Sequence, residues 1–309
     1  MKKKIMTLAL SAVMAVSLAA CGAGGNSDSS SSGSTSASGS SAVSDVSSAS
    51  AASDASTASS GEEKPETITV KSLNANREEV DLEVPYDPER IAILDMACLD
   101  IIDSLGVGDR VVGSASTSLD YLQDYVTDQN IENLGTIKEA DMEAVMACEP
   151  DVIFIGGRLS SSYDALSEIA PVVYLSTDTE IGVVESVRKN ASTIAAMFGL
   201  EDQVDELMVD FDERIETLEA FAEGKTAIVG MCTSGSFNVL GNDGRCSMIG
   251  REIGFENVGV DANADTSTHG NEASFEYVVE KNPDYIFVMD RDAAIGTDGA
   301  QLAQDIMEN

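Results

Sequence analysis

Histidine is nearly absent from this 309-residue chain, and His269 is the single one. Zinc and manganese receptors gather two or three imidazoles with carboxylates, a set that cannot be assembled here. Cations are scarce too, 18 Lys and Arg against 54 Asp and Glu, for a formal charge of −36. A field of that sign repels nucleic acid and anionic lipid and favours solubility. Nucleic-acid binding is excluded, and an anionic ligand would need a local cluster of arginines acting against the global field. Beyond Cys21 there are only Cys98, Cys148, Cys232 and Cys246, in neither CxxC nor zinc spacing. A Cys232–Cys246 bridge is conceivable in an exported chain, but small buried hydrophobes are the plainer reading. There is no GxSxG elbow, GxGxxG or P-loop. A Ser-His-acid hydrolase would have to recruit His269 without a recognisable nucleophile motif.

What is present begins with an address. Lys2, Lys3 and Lys4 precede an apolar stretch, Ile5–Leu18, that runs into Leu18-Ala19-Ala20-Cys21. This is a secretory signal (residues 1–20) ending in a lipobox, so the mature chain begins at a diacylated Cys21. The stretch is short for a membrane span, which needs about 20 apolar residues, whereas two acyl chains anchor stably. Residues 21–64 comprise the lipidated cysteine and a tether of Ser, Ala and Gly, which buries no core and is expected to be disordered. Such a coil reaches roughly 35 Å. It would hold a globular body on the extracytoplasmic face of a membrane, within a cell wall.

The body says nearly the same thing twice. Ala140–Arg158 reads ADMEAVMACEPDVIFIGGR and Ala273–Arg291 reads ASFEYVVEKNPDYIFVMDR. Each parses as a helix, a Pro-Asp turn, an apolar strand and a loop ending in arginine. Strands Ile91–Leu94, Val111–Gly113, Val152–Ile155 and Val172–Leu175 alternate with helices Leu99–Leu105, Met142–Cys148 and Tyr163–Ile169, which points to a parallel sheet covered by helices. Helical patterns Glu185–Phe198 and Glu201–Phe221 follow, broken at Gly199. Alternation resumes with strands Thr226–Met231, Ser236–Leu240 and Val258–Val260 and a helix around Ser247–Ile253. The fold class is α/β, two Rossmann-like lobes with parallel-sheet cores joined by a long helix. The lobes are residues 65–184 and 225–309, with a helical connector over 185–224. In the second lobe Arg291 is followed by a matching helix, Ala300–Met307, but by no counterpart of strand Val172–Leu175, so that lobe reads as incomplete.

In open α/β sheets, ligands bind beyond the carboxyl ends of the strands. Arg158 and Arg291 sit just past such ends in equivalent places, and Gly156-Gly157 lets backbone approach a ligand closely. Arg245, in the turn Gly241–Arg245, is a third candidate. His269 lies before the helix that starts near Ser274, on the same side of its lobe; an exposed loop histidine is the plainer reading of that residue alone. Glu143 and Glu276 share a place in the first turn of the repeated helices, behind N-caps Asp141 and Ser274. The helix dipole favours acids there in any case, yet a matched pair also suits docking onto a basic partner.

From Glu89 onward the chain resembles the iron-siderophore-binding lipoproteins of ABC importers, in the enterochelin/petrobactin-type class whose two lobes share a long backbone helix. The resemblance rests on PERIAILDMACLDIIDSLGVGD, NLGTIKEADMEAVMACEPDVIFIGGRLSSSYDALSEIAP, STHGNEASFEYVVEKNPDYIFVMDRDAAIG and the Gly244-Arg245 turn. It implies that Arg158, Arg245 and Arg291 hold an anionic ferric catecholate and that His269 ligates the iron directly. It also implies that Glu143 and Glu276 meet arginine pockets on the permease. The family's second iron ligand, a tyrosine near the C-terminus, has no match before Asn309; Tyr277 and Tyr285 belong to other positions. The expected protein is a monomeric receptor with no intrinsic cofactor. It meets a ferric siderophore, the permease, and the membrane only through the Cys21 lipid. A haem or cobalamin receptor of the same fold is the alternative, although three arginines suit a more anionic guest than haem.

Overall fold

In the computed structural model the described residues are 64–260 and 269–308. Cys21, the leader and most of the tether lie outside them. The chain opens with an antiparallel hairpin, β1 (Thr67–Leu73) and β2 (Glu79–Pro85). The first lobe continues with β3 (Ile91–Ile93), α1 (Met96–Ser104), β4 (Val111–Ser114), α2 (Asp124–Thr127) and β5 (Glu132–Asn133). A small ribbon, β6 (Gly135–Thr136) with β7 (Glu139–Ala140), precedes α3 (Met142–Ala147), β8 (Val152–Ile155), α4 (Tyr163–Ser167) and β9 (Val172–Tyr174). Two long helices follow, α5 (Val183–Phe198) and α6 (Glu201–Ala222). The second lobe holds β10 (Thr226–Thr233), β11 (Ser236–Val239), α7 (Met248–Arg251), β12 (Glu256–Asn257) and β13 (Asn271–Glu272). It ends with α8 (Phe275–Lys281), β14 (Tyr285–Asp290), α9 (Arg291–Ala294) and α10 (Ala303–Met307).

The first sheet is wholly parallel, in the order β5-β4-β3-β8-β9. Its strands β3 and β8 are apolar and buried at every position because both faces are covered. Alternation along β8 sends Val152 and Phe154 against α1, α5 and the start of α6, and Ile153 and Ile155 against α3 and α4. All four are fully buried, each worth about 1.5–3 kcal/mol relative to exposure. Strand β1 lies beside this sheet, where Tyr174 N–H donates to Ser72 Oγ at 2.9 Å.

The second sheet departs from the expected parallel core. Its central strand β10 pairs in parallel with β12 and β14 but antiparallel with β11, which in turn pairs antiparallel with β13. The turn at Ser234-Gly235, both at positive φ, folds β11 straight back on β10. The pairing strand expected at Val258–Val260 is Glu256–Asn257, and the helix expected over Ser247–Ile253 is limited to Met248–Arg251. Among the described residues β14 pairs with β10 alone, and Ile286 at its middle is 43% exposed. All four described cysteines are free, so Cys232 and Cys246 form no bridge.

The connector also needs correction. Helix α5 belongs to the first lobe, burying Ile194, Ala195 and Met197 there, and only α6 is shared. Val204 and Met208 of α6 pack into the first core, whereas Ile215 and Ala222 pack with Ile253 and Phe255 of the second lobe. A second tie crosses between lobes: Glu252 Oε1 accepts from Val183 N–H at 2.6 Å, and Arg251 donates to the carbonyls of Thr179 and Glu180. No helix among the described residues is long and apolar enough to cross a membrane.

Between α5 and α6, Gly199 adopts φ +65° and closes α5 by donating to the Ala195 and Ala196 carbonyls. A Cβ there would collide with the Tyr86 hydroxyl, whereas at Gly224, also left-handed at φ +68°, it would meet open space. Gly199→Ala should therefore destabilise the protein by about 1 kcal/mol or more. It should cost more than Gly224→Ala in urea denaturation, and equal costs would contradict the packing argument.

Candidate functional site

Each lobe places the arginine of the repeat in a cavity beyond its strands. In the first, β8 runs into Gly156-Gly157-Arg158 and a 3₁₀ turn over Gly157–Ser162. Gly156 is required sterically, since a Cβ would strike the Asp95 carboxylate. That carboxylate caps α1, its Oδ1 accepting from Ala97 and Cys98 N–H at 3.1 Å each. Arg158 is exposed and makes no hydrogen bond or ion pair among the described residues. It lines a cavity of about 410 Å³ whose walls include Ile101, Ile137, Val187 and Arg77.

Arg77 was not anticipated from the sequence. It sits at the turn of the β1–β2 hairpin, where Asn74 Oδ1 accepts from Asn76 and Glu78 N–H. From there Nη2 donates to the Gly157 carbonyl at 3.1 Å, across 80 residues of sequence. In the structure its backbone takes a left-handed turn position, φ +64°, that favours glycine or asparagine; nothing in the local sequence marks it.

In the second lobe Arg291 and His269 line a common cavity of about 460 Å³ with Thr233, Ser234, Asn238 and Glu272. His269 is exposed. Arg291 is held from behind: Nη1 lies 3.1 Å from Asp292 Oδ1 and 3.3 Å from Thr233 Oγ1. Asp292 is only 4% exposed. Its carboxylate accepts Ser234 N–H at 2.6 Å and the Thr233 hydroxyl at 3.1 Å. The Ser234 amide above all, helped by Thr233 and the Arg291 charge, holds the Asp292 carboxyl below its ordinary range. The two cavities thus hold Arg158 on one side and Arg291 with His269 on the other; Arg245, in the turn before α7, lines neither.

Glu143 and Glu276 are both exposed, in the first turns of α3 and α8 as the repeat predicts. Asp141 caps the first helix through Oδ1, accepting from Glu143 and Ala144 N–H; Ser274 caps the second, accepting from Tyr277 N–H. The Glu276 carboxyl is lowered by its own backbone N–H and the Ser274 hydroxyl. The tyrosines have other duties. Tyr277 donates to the Gly259 carbonyl at 3.2 Å, and Tyr285 packs against Phe221, Phe255 and Phe287. No cluster of three His, Cys, Asp or Glu fit to hold a metal ion occurs among the described residues.

Two α/β lobes sharing helix α6, each with an arginine in a cavity beyond its strand ends, give the architecture of a two-lobed binding protein. The chain belongs to the periplasmic binding protein family, whose model matches residues 91–309. It is 35% identical over 249 residues to the petrobactin-binding protein YclQ of Bacillus subtilis, covering 80% of this chain and 76% of the relative. The crystal structure of YclQ matches with a TM-score of 0.71 at 34% identity, covering 79% and 84% of the two chains. The periplasmic catecholate-siderophore-binding protein VctP of Vibrio cholerae matches with a TM-score of 0.69 at 28% identity, covering 78% and 85%.

The depressed Asp292 carboxyl gives a pH prediction. Its stabilisation is full above the unfolded value of 3.8 and is lost as pH falls through the lower folded value. Asp292→Asn should flatten the acid limb of the stability–pH curve below about pH 4. An unchanged slope would mean that the contacts of Asp292, the Ser234 amide first among them, do not hold its carboxyl in the folded state.

Proposed function

We propose that this protein is a lipid-anchored receptor that captures a ferric catecholate siderophore between its lobes and delivers it to an ABC permease. The observation that carries the reading is the matched placement of Arg158 and Arg291 in strand-end cavities, with Arg158 paired to no carboxylate among the described residues of so acidic a chain. Relatives named for petrobactin and catecholate siderophores supply the ligand class.

In this reading Arg158, Arg291 and Arg245 donate charge-assisted hydrogen bonds to catecholate oxygens, and His269 fills a coordination position the siderophore leaves open on iron. His269 shares its cavity with Arg291, which suits an iron ligand beside an N–H donor to the catecholate oxygens. Glu143 and Glu276, matched and exposed on the two lobes, dock onto basic pockets of the permease. Cys21 carries the lipid that keeps the receptor on the extracytoplasmic face. Capture and delivery involve no covalent chemistry.

A visible-spectrum titration with a ferric bis-catecholate, run beside haem and cobalamin, tests this. Each charge-assisted hydrogen bond is worth about 1.5–3 kcal/mol, so Arg158→Ala should weaken binding about 10- to 100-fold. His269→Ala should shift the iron–catecholate charge-transfer band. Reversing Glu143 and Glu276 should leave the titration unchanged while stopping uptake by cells. Binding of haem or cobalamin in preference, or no binding by a chain that unfolds cooperatively, would overturn the assignment.

A further inference from the structure

Arg77 has no part in the repeat, yet it stands where two cavities of the first lobe meet. One is the Arg158 cavity. The other, about 570 Å³, lies behind the hairpin between β1, the end of β9 and α5. Arg77, Gly157, Leu175, Ser176, Thr177 and Asn190 line both. A ligand in one cavity therefore reaches the other past Arg77.

The charges around Arg77 are distributed unequally. Lys71 is paired with Asp81 at 2.7 Å and Lys189 with Glu79 at 2.9 Å. Arg77 has no carboxylate partner among the described residues, although acids outnumber cations three to one in the chain. Its bond to the Gly157 carbonyl fixes the guanidinium in place through Nη2 alone. The remaining N–H groups of the fork are free of described partners, in the planar geometry that suits a carboxylate. A left-handed backbone at a non-glycine residue costs of order 1 kcal/mol, which is more easily understood if the side chain is used.

The two cavities also differ in character. Ile101, Ile137 and Val187 line only the Arg158 side and suit the faces of aromatic rings. Behind Arg77, Thr193, Ser186 and Tyr174 join the shared Ser176, Thr177 and Asn190, a lining suited to hydroxyls and amides. Lys71, Lys189, Glu79, Asp178 and Glu180 line it too, so that apart from Arg77 its acids outnumber its cations three to two and nothing there attracts further negative charge.

We propose that Arg77 divides a two-part site: aromatic, iron-binding groups lie over Arg158, a single carboxylate sits against Arg77, and a hydrophilic arm without further negative charge occupies the cavity behind the hairpin. This rests on the siderophore reading and narrows it to ligands with such an arm.

The test compares two ferric complexes on the full chain by fluorescence or visible titration. One is a plain bis-catecholamide; the other is the same compound with a carboxylate and a hydroxyalkyl arm on its linker. The wild type should prefer the second by about tenfold or more. Arg77→Ala should abolish that preference, weakening the carboxylate-bearing complex by about tenfold more than the plain one. Thr193→Phe, which fills only the cavity behind the hairpin, should also reduce the preference, whereas Arg158→Ala should weaken both complexes. Equal affinity of the wild type for the two would overturn the proposal. So would an equal loss of both in Arg77→Ala, which would make Arg77 a prop for the Gly157 loop. If neither complex binds the wild type, the siderophore reading fails and this inference falls with it.

Discussion

The first-lobe site depends on a guanidinium that pairs with no carboxylate among the described residues, in a chain with 54 acids to 18 Lys and Arg. With a net charge of −36, the protein as a whole repels an anion. At physiological salt that field decays over about 8 Å, so the groups lining the cavity decide what enters. The strand register meets this requirement. Apolar β8 buries itself completely, Gly156 lets the chain pass over Asp95, and Arg158 emerges at the carboxyl end of the sheet. Asp95, the one acid lining that cavity, is engaged by the amino end of α1 through Oδ1. The second lobe solves the same problem differently, giving Arg291 a buried carboxylate partner that aims it.

The lobes are coupled by more than a linker. Helix α6, about 33 Å long at 1.5 Å per residue, buries its first half in one core and packs its second half against the other. Glu252 and Arg251 of the second lobe also bond to the backbone that leads into α5. Any closing of the lobes on a ligand must bend α6 or break those contacts, which favours motion of small amplitude.

The repeat was the most legible feature of the chain, because each copy carries an N-cap, an apolar strand and a Pro-Asp turn that act locally. Strand Val152–Ile155 and the break at Gly199 follow from such local rules, and the structure has them where the sequence predicts. The mixed character of the second sheet was less visible. It turns on the short reversal at Ser234-Gly235, and apolar alternation in β11 is the same for either strand direction. Arg77 escaped because its role comes from tertiary contact alone: a hairpin tip looks like solvent-facing turn until β1 lies down beside β9 and brings it to Gly157. Arg245 shows the reverse limit, a plausible motif residue that lines neither arginine cavity.

The most direct test of the account is the iron position in crystals of the ferric bis-catecholate complex, located by anomalous scattering at the iron edge. The account predicts one iron between the lobes, within coordination distance of the His269 imidazole, with catecholate oxygens against the Arg158 and Arg291 guanidinium groups. An iron held without any protein nitrogen, or a ligand lying outside both arginine cavities, would contradict it.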